Sequence, residues 1–178
     1  VNRELVEEDL TRGDKLFYVG AEALDSGRMQ GEIVADLCLR DGDRVDKNGD
    51  NIFQYVMLEG EADHQDAIVR TESAINTVKA SGIRLERLED AIANWKRSQA
   101  ETRMIQWLET HGNGIEIVFA NNDEMALGAI DASKRAAIPS RQWPVVVGLD
   151  GTRGGLDAVR LGAMAGTALA ASVGLAQG

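Results

Sequence analysis

The chain has 178 residues, of which 44% are hydrophobic but only 4% aromatic, so its core must be built mainly from aliphatic side chains. This length suffices for one good core, arranged as a single domain or as an unequal pair. The 19 Lys and Arg residues against 29 Asp and Glu give a formal net charge of -10, which makes nucleic acids and anionic membrane surfaces poor partners. Cys38 is the only cysteine in the sequence, which excludes an internal disulfide. No charged and then apolar leader opens the sequence, which indicates a mature protein, a cytosolic protein or a fragment.

Runs rich in Val, Ile and Phe alternate along the chain with amphipathic segments, a pattern typical of an α/β protein with a mostly parallel sheet. The predicted strands are residues 16–19, 53–58, 84–88, 115–120, 145–149 and 163–169. The predicted helices are residues 21–39, 66–81, 98–110, 123–136 and 154–161. The most apolar stretch, residues 162–176, is too short and too weakly hydrophobic to span a bilayer.

Oxygen-bearing side chains recur at every second position in the run Asp-Lys-Asn-Gly-Asp-Asn-Ile-Phe-Gln, which ends at residue 54. An EF-hand loop binds Ca²⁺ through positions 1, 3, 5, 7 (by its backbone carbonyl) and 9, and through a bidentate Glu at position 12. The first five of these positions fall on Asp46, Asn48, Asp50, the carbonyl of Ile52, and Gln54. Position 6 is Asn51, which after Gly best tolerates a left-handed backbone. The run favours a cation loop, and the alternative is an acidic turn that solvates a strand end.

The acid that would complete this loop must come from elsewhere in the chain. Position 12 is Met57, which cannot ligate a metal, and a strand follows the loop where an EF-hand has a helix. Glu116 is the best donor, because it is the one acid inside the apolar run 115–120. A charge in such a run is costly unless it is paired or bound to a metal. The sequence therefore predicts that Glu116 closes a Ca²⁺ site.

Polar side chains follow three of the predicted strands at their carboxyl ends, where ligands bind in open α/β sheets, and a Trp follows a fourth. In chain order they are His64, Asp66, Arg70, Trp95, Asn122, Asp123 and Asp150. Asp66 and Arg70 are four residues apart, so they share a helix face and can pair or grip a common ligand. Charged and amide groups beside a flat indole suit a neutral polyol. The alternative is that these residues are surface ion pairs and helix caps, since Asp66, Asn122 and Asp123 stand where N-caps belong.

The cation loop, the lone Glu116 and the polar cluster, with their spacing, closely resemble the periplasmic galactose/glucose-binding proteins of the type I periplasmic sugar-binding family. The resemblance runs from residue 1 to about residue 169. It implies a doubly wound, mostly parallel α/β lobe that closes with a second lobe on a hexose, without catalysis. It also implies a stiffening Ca²⁺ ion, and an ABC permease and a chemoreceptor as partners. The implied location is periplasmic, or extracellular and membrane-tethered in a Gram-positive host.

The resemblance also assigns residues by position. Sugar-binding residues would be Asn2, His64, Asp66, Arg70, Trp95, Asn122 and Asp150, with Trp95 stacking on one ring face and the others forming hydrogen bonds. Calcium-binding residues would be Asp46, Asn48, Asp50, Ile52, Gln54 and Glu116.

The resemblance divides the chain into three parts. Residues 1–19 would be a remnant of the first lobe and hinge crossover, residues 20–168 the calcium-binding second lobe, and residues 169–178 a truncated crossover back toward the first lobe. Most of the family's first lobe, with its acidic ligand and second aromatic, has no counterpart here, and Ala170 stands where the family has a sugar-binding Asn. We therefore expect weakened binding, at ~1 kcal/mol or more for each lost hydrogen bond.

Two other function classes share part of this pattern. The effector-sensing lobe of a sugar-responsive repressor has the same fold, but it needs a basic helix-turn-helix, and this acidic sequence has none. A sugar-processing enzyme could use Asp66 and Asp150 as acid and base, but no activated nucleophile or glycosidase pair can be assigned. The sequence favours a calcium-stabilised, non-catalytic hexose-binding protein for import and sensing.

Overall fold

A computed structural model of the chain describes residues 23–169. Its helices are α1 (Ala23–Val45), α2 (Gln65–Ala80), α3 (Arg97–His111), α4 (Asp123–Arg135) and α5 (Arg153–Arg160). Its strands are β1 (Phe53–Glu59), β2 (Leu85–Ile92), β3 (Ile117–Ala120), β4 (Val145–Leu149) and β5 (Gly166–Ala168). Helices and strands alternate along the chain, as the sequence pattern predicted.

The five strands form one sheet in the order β2-β1-β3-β4-β5, and every neighbouring pair is parallel. The central strands β1 and β3 are buried at almost every position, whereas β2 at the edge carries two pairs of charged residues among apolar ones and has no buried residue. A parallel strand covered on both faces needs apolar side chains on both. This requirement explains the unbroken runs Tyr55–Leu58 and Ile117–Ala120.

Helices cover both faces of the sheet, which confirms the doubly wound α/β fold. On one face, α1 and α2 pack against Tyr55 and Phe119, whose rings meet edge to face with their centroids 5.5 Å apart. On the other face, α3, α4 and α5 pack against Val56, Leu58 and Val118. Within residues 23–169, no helix combines the length and the hydrophobicity that crossing a bilayer requires.

Two predicted boundaries were wrong in ways that the structure explains. Helix α1 continues to Val45 rather than ending at residue 39, with a local break at Asp41, because the last turn buries Val45 in the core. The last strand is confined to Gly166–Ala168, because the amides of Ala163 and Met164 both donate to the carbonyl of Ala158 at the end of α5. The predicted strand 16–19 and the proposed first-lobe segment 1–19 lie outside the described residues.

Candidate functional site

The carboxyl ends of β1, β3 and β4 bring several of the predicted polar residues to one edge of the sheet. Arg70 on α2 donates through Nη1 to the carbonyl oxygen of Asn121, 2.9 Å away, just after β3. The same Nη1 lies 3.4 Å from Oδ1 of Asp150, which follows β4. Only 11% of the Arg70 side chain is exposed, so this guanidinium is a partly desolvated donor at the centre of the edge. Arg70 thus connects two chain segments that are far apart in sequence.

Trp95, in the segment between β2 and α3, lies beside this pair. We call the surface formed by His64, Arg70, Trp95 and Asp150 the crevice. The guanidinium carbon of Arg70 lies 5.8 Å from the centroid of the indole. The His64 ring meets the indole edge-on, with 5.2 Å between centroids. Asn94 and Trp95 have left-handed φ angles of 52° and 62°, a conformation that costs non-Gly residues of order 1 kcal/mol each. Backbone strain of this kind is typical of ligand sites, where the surrounding structure maintains it.

Two buried nitrogen atoms at this edge have no hydrogen-bond partner among residues 23–169. They are Nδ1 of His64 and Nε of Arg70, and both belong to side chains that contact Trp95. Buried polar atoms are nearly always paired in folded proteins. Their position beside an aromatic wall fits a crevice that receives a polar ligand.

Asn122 and Asp66 occupy different positions at their helix starts. Asn122 is the N-cap of α4, because its Oδ1 accepts from the backbone N–H of Met125 at 2.9 Å, and its Nδ2 donates to the carbonyl of Trp95 at 3.3 Å. Asp66 is not an N-cap: α2 begins one residue earlier, with His64 at the cap position. The Asp66 side chain is buried in the first turn of α2, with 6% of the residue exposed.

Asp150 sits at the mouth of the crevice in a left-handed conformation with a φ of 105°. Its pKa is raised from the ordinary value, mainly by burial of the carboxyl and further by the charge of Asp123, although 38% of the side chain is exposed. The nearby positive charge of Arg70 acts in the opposite direction. Asn2, the remaining predicted sugar-binding residue, lies outside the described part of the chain.

Gly60 is a site residue that the sequence analysis missed. A Cβ atom at this position would overlap the ring carbons Cζ2, Cε2 and Cη2 of Trp95. The Gly60 N–H donates to Oδ1 of buried Asn121 at 3.1 Å, and Asn121 in turn donates to Thr71 Oγ1 at 3.0 Å. A Gly immediately after a strand is the signal that could have indicated close approach of another group.

Gln30 was also missed, because a single amide on an amphipathic helix gives no sequence signal. It is fully buried on α1, and its Nε2 lies 2.8 Å from the carbonyl oxygen of Ala120 and 3.2 Å from those of Val147 and Gly148. These carbonyls belong to the ends of β3 and β4. Gln30 therefore ties together the two strands that lead to Asn122 and Asp150.

The loop 46–54 wraps its backbone around its own side-chain oxygens. Asp46 accepts from the N–H groups of Gly49 at 2.7 Å and Asn51 at 2.8 Å. Asp50 Oδ1 accepts from the N–H of Ile52 at 2.7 Å, and this hydrogen bond is the main cause of its lowered pKa. Asn51 has a φ of 60°, the left-handed conformation expected at position 6 of a cation loop.

Glu116, just before β3, lies against this loop and is only 1% exposed. Its Oε1 accepts from the N–H of Lys47 at 2.5 Å and its Oε2 from the N–H of Gln54 at 2.9 Å. Burial raises the pKa of this carboxyl, the backbone donors oppose that effect, and the charge of Asp46 adds to it. Glu116, the acid that the sequence analysis predicted to lie beside this loop, therefore does contact it.

The chemistry of these residues fits a hard cation, which prefers carboxylate and amide oxygens. In this structure Asn48 Nδ2 donates to Asp50 Oδ2 at 3.0 Å and to Gln54 Oε1 at 3.1 Å, so an amide donor bridges two of the predicted ligand oxygens. No three His, Cys, Asp or Glu side chains in the described ranges converge closely enough to hold a metal ion. Cation binding would thus require the amide of Asn48 to turn its oxygen inward and the carboxylates to draw together.

A cavity of about 510 Å³ lies away from the residues around Trp95, and Lys47 of the loop 46–54 is among its lining residues. Its lining comes from α3 and from segments that precede β3 and β4, and includes Ile105, Leu108, Ile138 and Pro144. Ligands of parallel α/β sheets bind at the carboxyl ends of the strands. The crevice around Trp95 is therefore the candidate site, even though this cavity is larger than the space that removing one side chain would leave.

Comparisons with known proteins agree with this fold. The sequence profile of a family described as a periplasmic binding protein domain matches residues 5–177. The D-galactose/methyl-galactoside binding periplasmic protein MglB of Haemophilus influenzae is 35% identical over 161 residues, which cover 90% of this chain and 47% of that protein. A putative rhizopine-binding protein of Rhizobium meliloti is 34% identical over 181 residues, which cover 100% of this chain and 53% of that protein.

Among solved structures, an ABC transporter solute binding protein from Bacillus halodurans with bound myo-inositol is 31% identical, with a TM-score of 0.73. The match covers 92% of this chain and 50% of that one. The chain thus spans about half the length of the relatives it matches.

Proposed function

The chain belongs to the periplasmic binding protein domain family, and from this premise we propose that it binds a neutral sugar or a related polyol. The site would be the crevice at the carboxyl edge of the sheet. The observation that carries the proposal is that His64 and Arg70 both contact Trp95, and that Arg70 also lies beside Asp150. Two nitrogens of this cluster are buried without a partner among the described residues.

The side chains of the crevice complement the two kinds of surface that a sugar presents. Hydroxyl groups donate to a carboxylate such as Asp150 and accept from the guanidinium of Arg70, and hydrogen bonds to charged groups are the stronger ones. The C–H face of a sugar ring packs on an indole such as Trp95. Arg70 is already positioned by Asn121, so little side-chain ordering would be needed on binding.

We propose a hexose, galactose or glucose, as the preferred ligand, with Asn2, His64, Asp66 and Asn122 as further hydrogen-bonding residues. The galactoside-binding name of the Haemophilus influenzae relative supports a hexose. Other relatives carry names for rhizopine, xylitol and ribose binding, so the test must include smaller and acyclic polyols. In this proposal the chain serves an ABC importer and a chemoreceptor from the periplasm and performs no catalysis.

We also propose that Ca²⁺ stabilises the chain through the oxygens of the loop and of its buried neighbour. The six donors would be Asp46, Asn48, Asp50, Ile52, Gln54 and Glu116. Contact between Glu116 and the loop supports this proposal, as does the left-handed backbone at Asn51. When bound, the cation would offset the mutual repulsion of carboxylates that burial makes costly.

A binding titration tests the sugar proposal. The 178-residue chain is titrated at millimolar concentrations with D-galactose, D-glucose, D-ribose, xylitol and myo-inositol, and binding is followed by saturation-transfer NMR. We expect saturable binding of at least one hexose, weakened about tenfold by Asp150→Asn, a loss of about 1.4 kcal/mol. Asp157→Asn is the matched control, because Asp157 pairs with Arg160 on the exposed side of α5.

Two results would contradict the proposal. One is the absence of saturable binding for all five compounds. The other is conversion of one of these compounds to a product, which would mean that the protein is an enzyme and not a binding protein.

A further inference from the structure

We propose that Asp123 is a positioning residue for the polyol site, because its buried carboxylate fixes the turn that carries Asp150. The inference rests on the proposed function, since the direction of Asp150 matters for binding only if Asp150 contacts the ligand. It concerns a residue that touches neither Trp95 nor Arg70 in any described contact.

One oxygen of Asp123 connects the starts of two helices. Asp123 is the first residue of α4 and is fully buried. Its Oδ2 accepts from both the N–H of Thr152, at 2.7 Å, and the Thr152 hydroxyl, at 2.9 Å. The Thr152 hydroxyl oxygen also accepts from the N–H of Gly155 at 3.1 Å, which makes Thr152 the N-cap of α5. Asp123 therefore fixes the residue at which the turn after β4 ends.

The turn between β4 and Thr152 has an unfavourable backbone conformation. Asp150 and Gly151 have φ angles of 105° and 62°, and Asp150 has a Cβ atom that makes such values costly. The other anchors of the turn come from the β5 side, where the Asp150 N–H donates to Ala168 at 2.9 Å and the Gly151 N–H donates to Thr167 Oγ1 at 3.0 Å. Asp123 supplies the anchor on the opposite side. Without it, the backbone of the turn would be hydrogen-bonded on the β5 side only, and the Asp150 side chain would keep its contact with Arg70.

The space around Asp123 is shaped to this carboxylate. A Cβ atom at Gly148 or at Gly155 would overlap its oxygens, so both neighbours have to be glycine. Oδ1 of Asp123 is buried without a hydrogen-bond partner in the described part of the chain. Burying a carboxylate with one oxygen unpaired destabilises a fold. A role in positioning the turn explains why a carboxylate is present here despite the free energy that its burial costs.

The charge of Asp123 also reaches Asp150. The charged groups that act on Asp150 are Arg70 from α2, which lowers its pKa, and Asp123 from α4, which raises it in addition to burial. An ionised Asp150 accepts hydrogen bonds from ligand hydroxyls, so we expect affinity to fall as the pH drops through the pKa of Asp150. Removing the charge of Asp123 would lower that pKa and move the loss of affinity to a lower pH.

The test compares Asp123→Asn with Asp131→Asn, a matched change on the same helix at a residue whose carboxylate pairs with Arg97 near the surface. Three quantities are measured on the 178-residue chain: hydrogen exchange of the Thr152 amide, the dissociation constant for D-galactose, and its pH dependence. For Asp123→Asn, whose amide oxygen is a weaker acceptor than a carboxylate, we expect reduced Thr152 protection, about tenfold weaker binding at neutral pH, and an acid-side midpoint at lower pH. For Asp131→Asn we expect none of these changes. Thr152→Val, which removes one of the two donors to Asp123, should weaken binding in the same direction and serves if Asp123→Asn does not fold.

The outcomes separate this inference from the proposed function. If the unmodified chain binds galactose and Asp123→Asn or Thr152→Val binds it equally well, the positioning role is wrong and the proposed function stands. Weaker binding by Asp123→Asn with an unmoved acid midpoint would indicate a general structural effect and would also refute the positioning role. If the unmodified chain binds none of the five compounds named above, the proposed function fails and the inference fails with it.

Discussion

Replacing Gly60 by Ala should disrupt the indole wall of the crevice. The added Cβ would overlap three ring carbons of Trp95, and this ring is confined by His64 on one side and Arg70 on another. Forcing extra atoms into a packed site costs about 1 to 3 kcal/mol. Gly60 does not have the left-handed backbone that would strain Ala by itself, so the whole effect should arise from contact with Trp95.

A double-mutant cycle measures that contact directly. The free energy of unfolding is obtained from urea titrations of the unmodified chain, Gly60→Ala, Trp95→Ala and the double variant. We expect Gly60→Ala to cost about 1 to 3 kcal/mol alone but less than about 0.5 kcal/mol in the Trp95→Ala background, because the obstructing ring is gone. Gly114→Ala is the control, since a Cβ at Gly114 meets no atom within 4 Å. An equal cost of Gly60→Ala in both backgrounds would refute the assigned role of Gly60.

Three further outcomes follow from the structure. Ca²⁺ added after chelation should raise the Tm of the unmodified chain and of the control Asp157→Ala, because a ligand that binds only the folded state stabilises it. It should not raise the Tm of Asp50→Ala, which lacks a proposed donor. An equal rise in Asp50→Ala would contradict the proposed cation site. Gln30→Met should lower the free energy of unfolding by about 1 to 3 kcal/mol, because it leaves buried carbonyls at the ends of β3 and β4 without this donor. The control Gln106→Met, on the exposed side of α3, should change it by less than about 0.5 kcal/mol. Similar values for the two variants would argue against the role of Gln30. Burial raises the pKa of the Cys38 thiol to about 12, and the charge of Glu116 adds to the shift. At pH 8 a disulfide reagent should therefore label Cys38 no faster than the chain unfolds. Labelling at the rate of a free thiol would contradict this burial.

The sequence was sufficient to predict the fold because burial on both faces of a parallel sheet dictates composition. Short apolar runs such as Ile117–Ala120 are typical of central strands, and the amphipathic segments between them are typical of helices that cover the sheet. The proximity of these polar residues could be predicted for a related reason. His64, Arg70 and Asp150 follow strand ends, and parallel strands bring those ends to the same edge.

The supporting contacts could not be predicted, because they depend on three-dimensional neighbours rather than on pattern. Nothing in the sequence indicates that Gly60 faces an indole 35 residues later, or that Gln30 reaches across to β3 and β4. The sequence places Asp123 where a helix cap belongs, but its carboxylate accepts from Thr152, the N-cap of another helix. In each case the relevant partner is distant along the chain.

The side-chain arrangement of the loop 46–54 lies between these two cases. The alternating oxygens and the lone acid predicted that the loop and Glu116 would be neighbours. In the structure the Glu116 carboxylate accepts hydrogen bonds from the N–H groups of Lys47 and Gln54. The sequence could not show that the amide of Asn48 would point its N–H group, rather than its oxygen, between Asp50 and Gln54. Amide orientation responds to whichever charge is nearest, and a bound cation would reverse the preference.

The most direct test of the account is a map of backbone and indole N–H chemical shifts in ¹⁵N-labelled chain titrated with D-galactose. We expect saturable shifts confined to the indole N–H of Trp95 and to amides at the carboxyl edge of the sheet, around Gly60, Asn122 and Thr152. Saturable shifts centred instead on Ile105, Leu108 and Ile138, at the cavity on the amino-terminal side, would show that the ligand site has been assigned to the wrong edge of the sheet.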